Sequence, residues 1–500
     1  MSYYITTAIS YVNGQPHLGH AYEAIATDVL ARHMRQRGED VFFLTGTDEH
    51  GEPIADVAHA EGIEPRALAD LNAGRFIEMT RLLNISNDYF IRTSDERHVV
   101  RVQEVLQRVY DNGHVYKGLY EGWYCPRCAD FKVENEILEG NLCPIHEIPL
   151  IREQEENWFF RLSTFEDALK RHFAAQPDFV MPARAMNEAQ AFVAQGLQDV
   201  SLSRANLTWG VPVPWDPSQV FYVWFDALLN YYTALSFARP GEDLTDHYWP
   251  ATFHIIGKDI LKFHTIYWPA MLLAADLPLP GHVFVHGFLL GADGRKMSKS
   301  LGNVLDPADV LDSFGIDALR FYLMREVSFG SDGPVGIEAV TARYDSELAN
   351  EYGNLASRSI AMIHRYRDGA VPQAPTDPEI VAEFEGLPER VAELFDRAEP
   401  TQALDLIWQR VRRLNRYVEE RAPWQLAREP AQAAELDQTL ATLHEGVRVI
   451  SVLLHAYMPE STDRLLAALG TPATGYAAAT LAPATAAATV EPLTPLFPKR

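Results

Sequence analysis

Two histidines flank a glycine in Pro16-His17-Leu18-Gly19-His20. At the start of a helix, backbone N–H groups attract anions. The glycine lets a phosphate approach the main chain, and both imidazoles can donate to its oxygens as charge builds. Arg295-Lys296-Met297-Ser298-Lys299-Ser300 follows the turn Gly291-Ala292-Asp293-Gly294 and puts two lysines on a loop, where they could neutralise a triphosphate as pyrophosphate leaves. Taken singly, each motif fits a solvated surface as well: two ordinary histidines, or a basic loop. Cys125-Pro126-Arg127-Cys128 and Cys143-Pro144-Ile145-His146 form a C-x2-C, x14, C-x2-H arrangement that holds every cysteine of the chain. Three thiolates and an imidazole close a tetrahedral site with no open position. The expected metal is structural zinc, against the alternative of unrelated buried thiols.

These residues need a scaffold, and the chain is long enough to supply one. Its 500 residues correspond to about three domains. Apolar residues make up 47% and charged residues 22%, which excludes a disordered or fibrous chain. The 43 lysines and arginines against 68 aspartates and glutamates give a formal net charge of −25, which argues against a sequence-blind nucleic-acid coat but leaves room for local basic RNA contacts. So few cysteines point to a reducing, cytoplasmic setting. The N-terminus has no basic segment followed by an apolar run, and no uninterrupted apolar stretch of about 18 residues occurs, so no membrane association is expected.

Short β-rich runs alternate with a helical pattern at the start: residues 3–8, a helix from 20 to 37, then 41–45. That alternation predicts βαβ units and a parallel sheet. A second block of the same character spans 220–290, with strands at 253–257 and 283–287. Beyond Pro334 the pattern becomes helical over 339–366, 379–397 and 402–421, with breaks at 369–378 and Pro423, as in an antiparallel bundle. Residues 470–495 are rich in Ala, Thr and Pro and predict a loosely structured tail packing back on the body. The expected class is α/β with a small inserted zinc-binding domain and a following α-helical bundle. The expected division is 1–116 and 221–335 for the two halves of the core, 117–220 for the insertion and 336–500 for the bundle and tail.

Taken together, His17-Leu18-Gly19-His20 at a strand–helix junction and Lys296-Met297-Ser298-Lys299-Ser300 after the last core strand closely resemble the paired signatures of class I aminoacyl-tRNA synthetases. By that resemblance the sheet is a Rossmann-like catalytic core that activates an amino acid with ATP and esterifies the 3′ end of a tRNA. Segment 117–220 is too short for the large editing domain of the leucyl, isoleucyl and valyl enzymes. Its knuckle is similar to the insert of the methionyl-tRNA synthetase family. The runs Thr6-Thr7-Ala8-Ile9-Ser10-Tyr11, Gly46-Thr47-Asp48-Glu49-His50-Gly51, Tyr222-Val223-Trp224-Phe225-Asp226-Ala227, Gly257-Lys258-Asp259-Ile260 and Phe263-His264 resemble the same family, and the likeness covers almost the whole chain.

The resemblance implies a methionine pocket lined by Ile9, Tyr11, Trp224, Ala227, Leu228, Tyr231, Ile260, Phe263 and His264, with Asp48 on the substrate ammonium. Leu228 stands where some members carry proline. Gly257 and Asp259 are implied at the ATP ribose and Gly19 against the nucleotide. His17, His20, Lys296 and Lys299 are implied at the phosphates, and one Zn²⁺ on Cys125, Cys128, Cys143 and His146. ATP is expected with Mg²⁺, and the partners are L-methionine and tRNA(Met), initiator tRNA included. A chain that stops at Leu496-Phe497-Pro498-Lys499-Arg500 lacks the extra dimerising module of some relatives, so a monomer is expected. Two rivals are an amino-acid ligase that serves a small amine or sugar, disfavoured by the helical domain, and a non-catalytic tRNA-binding paralogue, disfavoured by the intact His17, His20, Lys296 and Lys299.

Arg410-Val411-Arg412-Arg413-Leu414-Asn415-Arg416-Tyr417 is a basic run on an acidic chain, and composition alone reads it equally as an RNA contact or a solvated face. The resemblance, through Asn415-Arg416-Tyr417 and Ala422-Pro423-Trp424, implies an anticodon-binding bundle. Where family members carry an Asn-x-x-x-Arg pair, this chain has Thr401 and Asp405, and no tryptophan follows Trp424. Recognition of the CAU anticodon is therefore expected to pass to Arg412, Arg413 and Arg416, with Tyr476 as a stacking platform.

Overall fold

β-Branched and aromatic runs separated by polar turns build a parallel sheet. Its strands are β1 (Ser2–Thr7), β2 (Ser10–Tyr11), β3 (Asp40–Asp48), β4 (Tyr89–Arg92), β5 (Val180–Met181), β6 (Phe253–Gly257) and β7 (His282–His286). They lie in the order β2-β3-β1-β6-β7-β5, with β4 also paired to β3. The pairings of β1 with β6, β6 with β7, β7 with β5, β2 with β3 and β3 with β4 are parallel. Strands in such a sheet are buried along most of their length, which is why Val41-Phe42-Phe43-Leu44-Thr45 reads as a continuous run and not an alternating one. The chain order reverses between β1 and β6, and ligands of open α/β sheets bind outside the carboxyl ends of the strands at such a reversal. Tyr11 stands in register with Asp48, and Gly257 with His286, at those ends.

This computed structural model describes residues 2–127, 130–132, 134–297, 305–481 and 488–499. Cys128 and Lys299 lie outside them. The chain divides into two compact units, one of Ser2–Pro16 and Phe42–His286, the other of Met1, His17–Val41 and Gly287–Arg500. No helix among the described residues is long and apolar enough to cross a membrane.

In the first unit, Val115–Cys125 and Ile151–Phe160 form a long antiparallel ribbon that delivers Cys125 at its end. Val180–Met181, also within 117–220, joins the parallel sheet instead. The second unit is helical. The predicted 402–421 helix spans Pro400–Arg421, and 339–366 is one helical run, Ile337–Arg343 and Asn354–Arg367 with a π-helical stretch, Tyr344–Gly353, between them. The predicted 379–397 helix is instead two, Pro378–Phe384 and Leu387–Asp396, because Gly386 turns the chain at φ 67°. The tail packs back as expected: Ala370 bridges Thr489, and Val490 is fully buried. A wholly buried ion pair ties the first helix of this unit, Leu18–Gln36, to the helix Ile316–Glu326: Arg320 reaches Asp28 at 2.7 Å. The same guanidinium donates to the carbonyls of Ala456 and Tyr457 (both 2.9 Å), just beyond the end of the helix Ala433–Leu454.

Candidate active site and metal centre

In the first unit, short elements at the carboxyl ends of the sheet bring the expected pocket residues together. Ile9 and Tyr11 follow β1. The helix Val223–Leu228 carries Trp224, Ala227 and Leu228, and Asn230–Thr233 carries Tyr231. After β6, Ile260 ends a 3₁₀ turn, and Phe263 and His264 open a π-turn, Phe263–Tyr267, of the kind that recurs at functional sites. Trp224 stacks on Phe263 (3.9 Å, 5°), with the Tyr11 and His264 rings edge-on to it at 6.2 and 6.4 Å. Leu228 and Tyr231 belong to the buried core, and Ile9, Tyr11, Trp224 and Ile260 pack half-buried against it. Aromatic walls left half-open distinguish this cluster from plain core.

His264 has a defined tautomer. Its Nδ1–H donates to the Ile260 carbonyl (3.1 Å), so Nε2 accepts the Tyr231 hydroxyl (2.8 Å). Burial lowers its pKa from 6.5 to about 4, and the ring stays neutral. Asp48, at the end of β3, is buried, and its Oδ1 has no partner among the described residues. Burial, then the Asp226 carboxylate, push its pKa well above the usual range; a cation would relieve both. Asp259 folds its carboxylate under Gly257. A Cβ there would sit 2.7 Å from Asp259 Oδ1 and would push that carboxylate aside.

His17 and His20 lie in the second unit, at the start of Leu18–Gln36. The Gly19 N–H donates to His17 Nδ1, and the His17 N–H to His20 Nδ1, both at 3.1 Å. Each Nδ1 is thus an acceptor, and each neutral ring presents its proton on Nε2. The rings stack at 3.8 Å, and a Cβ on Gly19 would meet His17 Cε1 at 2.9 Å, so the glycine is what lets His17 fold over the helix end. Burial, and then repulsion from His17, lower the His20 pKa from 6.5 to about 3. The arrangement puts two imidazole N–H groups at a helix N-terminus, a chemistry suited to phosphate oxygens. Lys296 is exposed on a strand-like bridge to Leu290, just after a turn that Asp293 fixes by accepting the Arg295 N–H (3.0 Å).

Cys125, Cys143 and His146 offer ligand atoms within 4.8 Å of one another. His146 Nδ1 is 3.9 Å from each sulfur. Zinc bonds of roughly 2.0–2.3 Å separate tetrahedral ligand atoms by about 3.5–3.8 Å, so the described three are already close to a metal-binding spacing. Both sulfurs are fully buried, packed with Leu150, Trp123, Ile137 and Ile148.

The residues expected at the anticodon are held differently from one another in the second unit. Arg413 is 6% exposed and ion-paired to Glu379, Glu383 and Glu420, and Arg412 is held by Glu347 and Glu351. Tyr476 is half-buried, with its hydroxyl donating to the Pro388 carbonyl (2.6 Å) and its ring edge-on to His33. These contacts hold its hydroxyl and one edge of its ring within the fold. Arg416 is exposed, with no carboxylate partner among the described residues. The two departures have local reasons: Thr401 accepts the Phe329 N–H (3.0 Å), and Asp405 pairs with Arg325. Asp405 also lines a cavity of about 480 Å³ with Arg390, Arg397 and Gln402 between the helices Leu387–Asp396 and Pro400–Arg421.

Two polar features escaped sequence reasoning. His254 is fully buried beneath Tyr231; it bonds Thr6 Oγ1 (2.8 Å) and accepts the Trp268 indole N–H (3.2 Å). Asp226 and His50 are buried partners at 3.2 Å. The available signal was a charged or imidazole side chain inside an otherwise apolar run.

The family profile described as tRNA synthetases class I (M) matches residues 3–148 and 132–360. Among curated relatives, the methionine–tRNA ligase of Streptomyces coelicolor is 46% identical over 484 residues, spanning 94% of this chain and 90% of that protein. That of Caldanaerobacter subterraneus subsp. tengcongensis is 42% identical over 473 residues, 94% of this chain and 74% of that one. Among solved structures, Mycobacterium tuberculosis methionyl-tRNA synthetase in complex with methionyl-adenylate matches with a TM-score of 0.95 at 42% identity, covering 100% of both chains. Likeness of this extent takes in the strand ends, the knuckle and the helical region alike, and with it the chain belongs to the methionyl-tRNA synthetase family of class I.

Proposed function

We propose that this methionine–tRNA ligase works as follows. L-Methionine is held by Ile9, Tyr11, Trp224, Ala227, Leu228, Tyr231, Ile260, Phe263 and His264. The observation that carries this reading is the half-open aromatic cluster closed by the Tyr231–His264 hydrogen bond. A thioether offers no strong hydrogen-bonding handle, so shape and S···aromatic contact must recognise it. Asp48 takes the α-ammonium. Gly257 and Asp259 serve the ATP ribose and Gly19 the nucleotide. The methionine carboxylate attacks the α-phosphorus and pyrophosphate leaves, while the Nε2–H groups of His17 and His20 and the ammonium groups of Lys296 and Lys299 stabilise the developing charge. The 2′-hydroxyl of the tRNA's terminal adenosine then attacks the adenylate carbonyl and releases AMP. Mg²⁺ enters with ATP as part of the substrate.

One zinc ion held by Cys125, Cys128, Cys143 and His146 is structural in this reading. Residues 1–116 and 221–335 do the chemistry, 117–220 carry the knuckle and 336–500 read the anticodon. The enzyme acts as a cytoplasmic monomer on elongator and initiator tRNA(Met). Amino-acid-dependent exchange of labelled pyrophosphate into ATP, run with each amino acid in turn, tests the function: exchange with methionine alone is expected, and none, or exchange with another amino acid, overturns it. Metal analysis should find one zinc per chain, lost in Cys143→Ser while methionine-dependent exchange persists; purified protein without zinc would reject the metal reading.

A further inference from the structure

Asp226 is the one charged residue of Tyr222-Val223-Trp224-Phe225-Asp226-Ala227, on the helix that also supplies Trp224 and Ala227. It is fully buried. His50 donates its Nδ1–H to Oδ2 (3.2 Å), and Oδ1 has no partner among the described residues. Asp48 also has a buried, unpartnered Oδ1. The two are linked through His50, whose backbone bonds the Asp48 carboxylate and whose ring bonds Asp226. The neighbouring carboxylate shows what a satisfied one looks like here. Glu49 accepts from Thr47, from Ser94 and twice from Arg92. No lysine or arginine is paired to Asp48 or Asp226 among the described residues, and burial makes each charge expensive without a counter-ion. Of the charges acting on Asp48, that of Asp226 is the largest, ahead of adjacent Glu49.

We propose that Asp226, oriented by His50, is a second carboxylate of the substrate-ammonium site and selects amine-bearing ligands together with Asp48. An ammonium has three N–H donors and can serve both acceptors. The inference rests on the assignment of Asp48 and the methionine pocket, and the test separates the two. Calorimetric titration of the ATP-free protein compares methioninol, which keeps the amine and lacks the carboxylate, with 4-(methylthio)butanoate, which keeps the carboxylate and lacks the amine. Asp226→Asn should weaken methioninol by about tenfold to a hundredfold, the range for losing one charged hydrogen bond, and leave the butanoate unchanged or tighter. His50→Gln, which keeps the charge but loosens its anchor, should shift the same ratio in the same direction by less. If Asp48→Asn discriminates between the ligands and both other variants weaken the two ligands equally or not at all, Asp226 is only packing and the proposal falls. If Asp48→Asn itself fails to discriminate, the pocket assignment falls with it.

Discussion

At the scale of single residues, hydrogen-bond direction is more informative than residue type. His17 and His20 each accept a backbone N–H on Nδ1, which puts the ring proton on Nε2. His20→Ala should therefore slow methionine-dependent pyrophosphate exchange by about 10²–10³-fold, as for removal of one charge-stabilising donor. His20→Asn should lose less, since its carboxamide can still accept the His17 N–H and donate outward. Equal loss in the two would mean that the imidazole ring, not its donor, is what counts. A second consequence concerns acid. Burial holds His264 neutral, with its pKa down from 6.5 to about 4; His98 behaves alike, lowered to about 3 by burial and then by His50. Below about pH 6.5 the unfolded chain binds protons at these sites and the folded chain does not. Stability is then fully present above pH 6.5 and falls as acid carries the pH towards 4. Denaturant unfolding of His264→Gln should show a shallower loss between pH 7 and 5 than the parent; parallel curves would refute this.

At the scale of elements, the parallel strands and the long bundle helices were legible because burial of whole strands and 3.6-residue periodicity leave marks in the sequence. Continuous Val41-Phe42-Phe43-Leu44-Thr45 and the periodic Pro400–Arg421 both do so. What local pattern could not show is partnership across the chain. Nothing local marks Asp28 and Arg320 as partners or Gly386 as a break, yet the first two form a fully buried pair and the third splits a helix at φ 67°. The pocket aromatics were legible only through motif resemblance, since nothing in the spacing of Tyr11, Trp224 and Phe263 says that the rings meet. The buried pair makes its own prediction. Asp28→Ala removes the buried carboxylate paired with Arg320 and should cost the second unit about 3–5 kcal/mol in denaturant unfolding, with Asp28→Asn costing less because an acceptor remains. A change within error in the alanine variant would show that the Ala456 and Tyr457 carbonyls satisfy Arg320 without its carboxylate.

At the scale of the whole molecule, an acidic chain must bind an acidic polymer, and where its cations are already committed decides how. The basic run 410–417 looked uniform in the sequence, but its arginines are not equivalent. Arg413 is buried among Glu379, Glu383 and Glu420, Arg412 is shared between Glu347 and Glu351, and Arg416 is exposed. Pulling Arg413 out of its buried position to meet a base would break three ion pairs, whereas Arg416 can donate to an unpaired base or stack on it at no such cost. Arg416→Ala should therefore narrow the discrimination between native tRNA(Met) and an anticodon-altered tRNA by about 1–3 kcal/mol, the worth of a base-edge contact, with methionine-dependent pyrophosphate exchange unchanged. Arg413→Ala should instead lower the unfolding midpoint of the bundle and affect both tRNAs alike. Charging assays on the two tRNAs, paired with thermal unfolding of each variant, decide the matter. If Arg416→Ala leaves discrimination intact, the candidates become Arg390 and Arg397, which flank the cavity that Asp405 lines and are the next exposed cations on the same pair of helices.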